Sequence, residues 1–156
     1  MPDHTSPSWD WWNAQLPPES RAIDFVDHAR AQIRDLLPYV THDQRVEPPA
    51  VANACIESFL ANVRLMADFL FKGHPEKDTR AVDLVSGWQL SPLLKERLEK
   101  WWLLASRHVM HLSRERTPED LRDVQPVTRD EYRQMAMDCE EAYNAFRKAY
   151  QNKGSK

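Results

Sequence analysis

Four segments of this 156-residue chain repeat apolar residues at intervals of three and four, the spacing that gives an α-helix one apolar face. The predicted helices cover residues 19–37, 51–70, 92–113 and 128–149. A helix of this kind is stable only when its apolar face packs against a partner. The pattern therefore predicts an all-α fold, a four-helix bundle with a long connection between the second and third helices.

Proline and glycine usage agrees with this fold class. The chain has only three glycines and eleven prolines, and few glycines disfavour a sheet protein with many tight turns. Pro38 is expected to stop the first helix, and Ser91-Pro92 to begin the third. Thr128 and Glu131 have the spacing of a capping box. We also predict a short helical turn around residues 80–85 and another helix start at 117–120.

The first 19 residues differ in composition from the rest, because they combine four prolines with Trp9, Trp11 and Trp12. We expect an irregular N-terminal arm over residues 1–19, one helical domain over 20–152 and a disordered tail over 153–156. Three tryptophans are too apolar to be left freely in water. Packing of the arm on its own bundle is the favoured interpretation, and capture of a protein partner or a membrane interface is the alternative.

Charge and cysteine usage exclude several classes of protein. A net charge of -3 disfavours a protein that coats nucleic acid, although a local basic patch is compatible with it. We expect a cytoplasmic protein without a membrane association, since the N-terminus is polar and no run of eighteen apolar residues occurs. Cys55 and Cys139 lie within helical apolar patterns, which favours buried free thiols over a redox pair or zinc site.

Potential chemistry is concentrated between residues 107 and 116, which contain Arg107, His108, His111, Arg114 and Arg116. Arginine offers a fixed planar charge for phosphate, and histidine titrates near physiological pH. Cations are also favoured at the end of any helix by its unpaired carbonyl groups. His108 lies closer to the apolar stripe and is interpreted as a packed, hydrogen-bonded histidine. A metal site is disfavoured, because no acidic residue precedes either histidine at the required offset.

A second polar group lies on the predicted second helix. Glu57, Arg64 and Asp68 project within about 40° of one another, beside the apolar stripe. One interpretation is a simple ion-pair ladder with Arg64 and Asp68 at an i,i+4 spacing. The other is a binding role, in which Arg64 points into a cleft shared with the third helix and Glu57 orients it.

The stretches over residues 57–70 and 107–116 together resemble bacterial helical-bundle proteins similar to the HEPN (higher eukaryote and prokaryote nucleotide-binding) superfamily. The resemblance covers residues 49–116. It implies a bundle of four to five helices, a homodimer, and in many members a metal-free endoribonuclease of toxin-antitoxin or phage-defence type. The family motif pairs an arginine that stabilises the scissile phosphate with a histidine that transfers protons. His111 matches the histidine, and Arg107 is the nearest arginine.

The resemblance therefore implies catalytic roles for His111, Arg107 and Arg116, and substrate contacts from Arg64, Glu57 and Arg114, with no metal or cofactor. Only three residues separate Arg107 from His111, whereas the family has four to six. The arginine role can instead fall to Arg116 or Arg64, or the activity can be lost. The leading hypothesis is an RNA- or nucleotide-binding protein. The alternative is a non-catalytic protein-protein interaction module, antitoxin-like or regulatory, that uses the tryptophan arm or a helix face.

Overall fold

The computed structural model describes residues 18–110 and 126–153. Within these two ranges the chain forms α-helices and no strand, which confirms the predicted all-α class. The helices are α1 (Pro18–Val40), α2 (Pro49–Ala67), α3 (Ala81–Leu84), α4 (Pro92–Ala105) and α5 (Arg129–Asn152). A first π-helical turn (Asp68–Lys72) follows α2, and a second (Ser106–Met110) follows α4. The tryptophan arm up to residue 17, the expected end of the third helix at 111–113, the start at 117–120 and residues 154–156 lie outside the described ranges.

The four long helices pack as a bundle in which α1 and α4 each contact both α2 and α5. Helices α1 and α5 run antiparallel, because the start of α1 meets the end of α5. Near one end the Tyr150 hydroxyl donates to Glu19 at 2.7 Å, and farther along Arg30 Nε donates to Glu140 at 2.7 Å. Lys153, just after α5, adds to the contact with Glu19, to which its Nζ donates at 2.6 Å. The same Nζ donates to the Leu84 carbonyl of α3 at 2.9 Å.

The core is built from the predicted stripes. Fully buried side chains include Phe59, Val63 and Met66 of α2, Leu98 of α4, and Met135 and Phe146 of α5. Aromatic rings meet edge to face, with centroids 5.3 Å apart for Phe59 and Tyr132 and 4.9 Å for Phe69 and Phe146. Burying each large apolar side chain contributes about 2 kcal/mol. Val51, in the first turn of α2, remains 46% exposed, so that end of the stripe was predicted wrongly.

Helix ends agree with the sequence signals in most places. At the start of α5 the Glu131 amide donates to Thr128 Oγ1 at 3.1 Å, and the Thr128 amide donates to the Glu131 carboxylate at 2.9 Å, which confirms the capping box. The prediction that Pro38 stops the first helix was wrong, because α1 continues to Val40. Because Pro38 lies in the last turn of α1, it removes one backbone hydrogen bond and few helical hydrogen bonds follow it. Buried Val40 and Thr41 hold this last turn in place.

The connection between α2 and α4 is fixed to the bundle. The first π-helical turn ends where the Gly73 amide donates to the Asp68 carbonyl at 2.7 Å. The short helix predicted at 80–85 is confirmed as α3. Trp88 contacts the Phe146 ring, and its Nε1 donates to the Leu70 carbonyl at 3.1 Å. The long connection therefore contributes to the core and covers the end of α2.

Candidate functional site

The described ranges include half of the predicted site residues. His111, Arg114 and Arg116 lie outside them, so their predicted roles stay predictions. Arg107 is exposed and lies in the second π-helical turn, directly after buried Ser106. Glu57 is exposed on α2, and Arg64 is half-buried farther along the same helix. His108 is also half-buried.

The interaction that orients Arg64 comes from Asp68. Arg64 Nε lies 3.5 Å from an Asp68 carboxylate oxygen, one helical turn away. Asp68 is itself held in place, since the indole Nε1 of Trp102 on α4 donates to its other oxygen at 2.7 Å. The ladder interpretation is thus confirmed for Arg64 and Asp68, with the addition that a tryptophan from another helix fixes the carboxylate.

Two cations lie over the ring of Trp102. The Arg64 guanidinium carbon is 5.6 Å from the ring centroid, and Lys72 Nζ is 5.0 Å from it. Lys72 also forms an ion pair with Glu99, which lies three residues before Trp102. Such cation-π contacts contribute about 0.5–2 kcal/mol each and fix where the charges lie. The end of α2 and the middle of α4 thus form a junction of two cations around one indole ring.

Sequence reasoning missed Trp102 as a site residue. It follows Trp101, which lies on the apolar stripe, and apolar spacing marks only Trp101. The sequence does contain a signal for it: helical spacing places Trp102 beside the apolar stripe of α4, just as it places Arg64 and Asp68 beside the apolar stripe of α2. Bordering residues of neighbouring helices meet at the edge of the core, and there an indole N–H needs an acceptor.

Arg64 keeps unused hydrogen-bonding capacity. Its Nη1 atom is buried and has no hydrogen-bond partner among the described residues, and the same holds for Nε of Arg21 on α1. A buried donor without an acceptor costs about 1–3 kcal/mol. Both arginines line one groove of about 740 Å³. The remaining lining comes from α1, α2, the first π-helical turn and residues 77–79, so this groove beside Arg64 lies between α1 and α2.

A second polar network lies between α4 and α5 and was not anticipated. Asp138 is 1% exposed, and its carboxylate accepts hydrogen bonds from Trp101 Nε1 at 2.7 Å, Arg97 Nε at 3.0 Å and Gln134 Nε2 at 2.9 Å. Because three donors satisfy it, this carboxylate has little capacity left for a ligand. The network joins helices and does not form an open reactive site.

Other chemistry finds little support in the described part of the chain. Cys139 is buried, as predicted, and burial raises the pKa of its thiol, which makes it a poor nucleophile. Cys55 is free and half-buried. Among residues 18–110 and 126–153 no three His, Cys, Asp or Glu side chains are grouped as a metal ion would require. Over the same residues, no helix combines the length and apolar character needed to cross a bilayer.

No protein-family model, curated protein or solved structure matches this chain.

Proposed function

We propose that this protein is a HEPN-like RNA- or nucleotide-binding protein, with metal-free RNA cleavage as the activity that the resemblance implies. The observation that carries the proposal is the unsatisfied guanidinium donor of Arg64 beside the indole of Trp102. Phosphate oxygens are the acceptors that a half-buried arginine binds best, since they accept two N–H groups at once. A protein of net charge -3 gains affinity for phosphate only where cations are gathered locally. Arg64 and Lys72 are gathered over one indole ring, each also paired with one acid, Asp68 and Glu99 respectively.

In the proposed reaction Arg64 and Lys72 bind a phosphate of the RNA backbone. Arg107, exposed after the end of α4, stabilises the charge that develops on the scissile phosphate, with Arg116 as the alternative carrier of that role. His111 accepts the proton of the 2'-hydroxyl or donates one to the leaving oxygen. The resemblance further implies that two copies pair and complete the site across a dimer.

The test is RNA binding and cleavage by the purified chain in EDTA, with a single-stranded oligoribonucleotide. We expect His111→Ala to reduce cleavage by about 10²–10⁴-fold, the usual contribution of a general acid or base, with unchanged helical circular dichroism. Arg34→Ala is the control, because Arg34 lies on α1 and its ion-pair partner within residues 18–110 and 126–153 is its neighbour Asp35. Equal cleavage by the His111 variant rejects the catalytic assignment, and a wild-type chain that binds no RNA rejects the proposed function.

A second candidate function, a protein-protein interaction module, is favoured by another surface. A groove between α1 and α5 contains apolar Ile33, Leu37 and Met137, and Met137 is 62% exposed. The arginines along this groove are paired, for example Arg30 with Glu140, which is typical of a polar rim. Deleting residues 1–16 tests the arm as the docking element. Loss of partner capture with intact RNA binding favours the module, whereas a lower melting temperature alone indicates a structural arm.

A further inference from the structure

The groove between α1 and α2 differs from the other surfaces in its charge balance. Arg21, Arg64 and Lys77 line it together with two acids, Asp68 and Asp78. Asp68 forms an ion pair with Arg64 and accepts from Trp102, and Asp78 accepts from the backbone amide of His74 at 2.6 Å. Three cations and two acids leave the lining of this groove with one positive charge in excess, and Asp68 is paired with Arg64 rather than with Arg21.

Arg21 is the clearest case of an uncompensated cation. It is half-buried, its Nε is fully enclosed, and no described residue forms a hydrogen bond or an ion pair with it. Arginines at such positions are normally paired, because desolvating a charge is costly without a partner. Arg64 lines the same groove with its own unsatisfied Nη1. One cavity is thus lined by Arg21, which has no partner among the described residues, and by Arg64, which pairs with Asp68 through Nε and leaves Nη1 without an acceptor.

The walls of the groove are apolar. Phe25, one helical turn after Arg21 on α1, is 45% exposed. Leu65 of α2, which also lines the groove, is 39% exposed. An aromatic ring and a guanidinium at an i,i+4 spacing lie side by side on the helix surface. Aromatic rings of this kind stack unpaired bases, and arginines bind phosphates, in single-stranded RNA recognition.

We propose that the α1–α2 groove binds one unpaired nucleotide of the RNA, with its phosphate on Arg21 and Arg64 and its base against Phe25. This inference rests on the proposed function for the identity of the ligand. A nucleotide fits this arrangement of two arginines beside an aromatic ring, because it has an anionic phosphate and a flat aromatic base on one sugar. Thr79, also in the lining, offers a hydroxyl to the sugar or the phosphate.

The experiment measures the affinity of the full chain for a labelled single-stranded oligoribonucleotide by fluorescence polarisation at several salt concentrations. Arg21→Gln should weaken binding about tenfold or more, because a charge-assisted hydrogen bond is lost. It should also lower the salt dependence by about one phosphate contact. Phe25→Leu keeps an apolar side chain and should weaken binding with an unchanged salt dependence. Arg34→Gln, on the same helix, should bind as the wild type does.

The outcomes separate this inference from the proposed function. If His111→Ala abolishes cleavage while Arg21→Gln and Phe25→Leu leave RNA affinity unchanged, the groove proposal is overturned and the function stands. If the wild type binds no RNA, the function falls, and the groove is judged by amide chemical shifts on adding adenosine monophosphate. Shifts on α1 that disappear in Arg21→Gln support a phosphate site, and no shifts overturn it. A red shift of tryptophan fluorescence that both variants show, that is absent when residues 1–16 are deleted, and that comes without loss of RNA affinity assigns the groove to the N-terminal arm and also overturns the proposal.

Discussion

Asp138 shows how a single charged residue can stabilise an otherwise apolar interface. Its carboxylate lies 1% exposed between α4 and α5, where an isolated charge would be unfavourable by several kcal/mol. Three donors offset that cost, and one of them, Arg97, also reaches Glu141 at 3.0 Å. Because Arg97 is partly exposed, water and Glu141 moderate its charge. Asp138 therefore specifies which residues of α4 face which residues of α5.

Replacing Asp138 by alanine should lower the free energy of unfolding by about 3 kcal/mol, since Arg97 and Trp101 lose a buried acceptor. Glu141→Ala is the control, because it removes the exposed partner of the same arginine and should cost less than about 1 kcal/mol. Urea unfolding of the two variants, followed by circular dichroism, measures the difference. Similar losses in both variants would contradict a special role for the buried carboxylate.

For single residues, the sequence predicted which apolar side chains are buried better than it predicted which polar side chains contact one another. The apolar stripe of α5 correctly includes Cys139, whereas Asp138 beside it has no apolar character that marks it as buried. Its donors Arg97 and Trp101 are some forty residues away, and their approach depends on the relative position of two helices. Arg64 and Asp68 were recognisable because both lie on one helix, where spacing alone decides contact.

Among the elements, the four long helices and the capping box followed directly from apolar spacing and local polar signals. The two π-helical turns did not. Each of them continues an α-helix with one extra residue in the hydrogen-bonded ring, and the apolar residues on both sides keep an approximately helical spacing. Such widened turns are frequent at functional sites. The first π-helical turn begins at Asp68, the partner of Arg64, and the second contains Arg107, so each turn holds a residue of the candidate site.

The first π-helical turn is closed by Gly73, and a side chain there should disrupt it. A Cβ at Gly73 would lie 2.6 Å from the Asp68 carbonyl oxygen, which is backbone and cannot easily give way. Gly73→Ala should therefore cost about 1–3 kcal/mol of stability. It should also displace Asp68 and shift the indole N–H resonance of Trp102, assigned by comparison with Trp102→Phe.

Gly87→Ala is the matched control for this turn. Gly87 has a φ of 75°, so alanine is strained by about 1–2 kcal/mol, but a Cβ there meets nothing within 4 Å. Its loss of stability should leave the Trp102 resonance in place. A Gly73→Ala chain with an unshifted resonance would show that the turn does not hold Asp68.

For the whole molecule, the candidate groove depends on which helices are neighbours. Sequence spacing placed Arg64 beside the core, and one of its two interpretations gave this arginine a cleft shared with the third helix. The bundle also places α1 against α2, so that Arg21 and Phe25 line one groove with Arg64. No local pattern records which helices pair, because each stripe is compatible with several arrangements.

The pairing of α1 with α5 is held by ion pairs and hydrogen bonds that depend on pH. Arg30 holds the pKa of Glu140 below its ordinary value, and Lys153, with Tyr150, lowers the pKa of Glu19. The pKa of Asp43 is lowered first by the Thr41 hydroxyl and then by Arg133 of α5. These contacts lie along the length of α1. Protonating the carboxylates therefore loosens one whole side of the bundle.

The sign of the pH effect follows from these lowered pKa values. Near pH 4 the unfolded chain binds more protons than the folded one, so the free energy of unfolding rises with pH. The stabilisation is fully present above the ordinary carboxylate values, 4.5 for glutamate and 3.8 for aspartate, and is lost as the pH falls through the lower folded values. We expect urea-unfolding midpoints to fall steadily below about pH 4.5.

Glu140→Gln should flatten part of this acid dependence. Because the Glu140 side chain is 41% exposed, the loss at neutral pH should stay below about 1 kcal/mol. The variant and the wild type should then converge as the pH falls, since a protonated Glu140 no longer forms an ion pair with Arg30. Glu96→Gln, on the exposed surface of α4, is the control and should follow the wild-type curve. If the free energy of unfolding of the Glu140 variant differs from that of the wild type by the same amount at every pH, Glu140 contributes through packing rather than through charge. The contact between α1 and α5 at Arg30 and Glu140 is then not electrostatic.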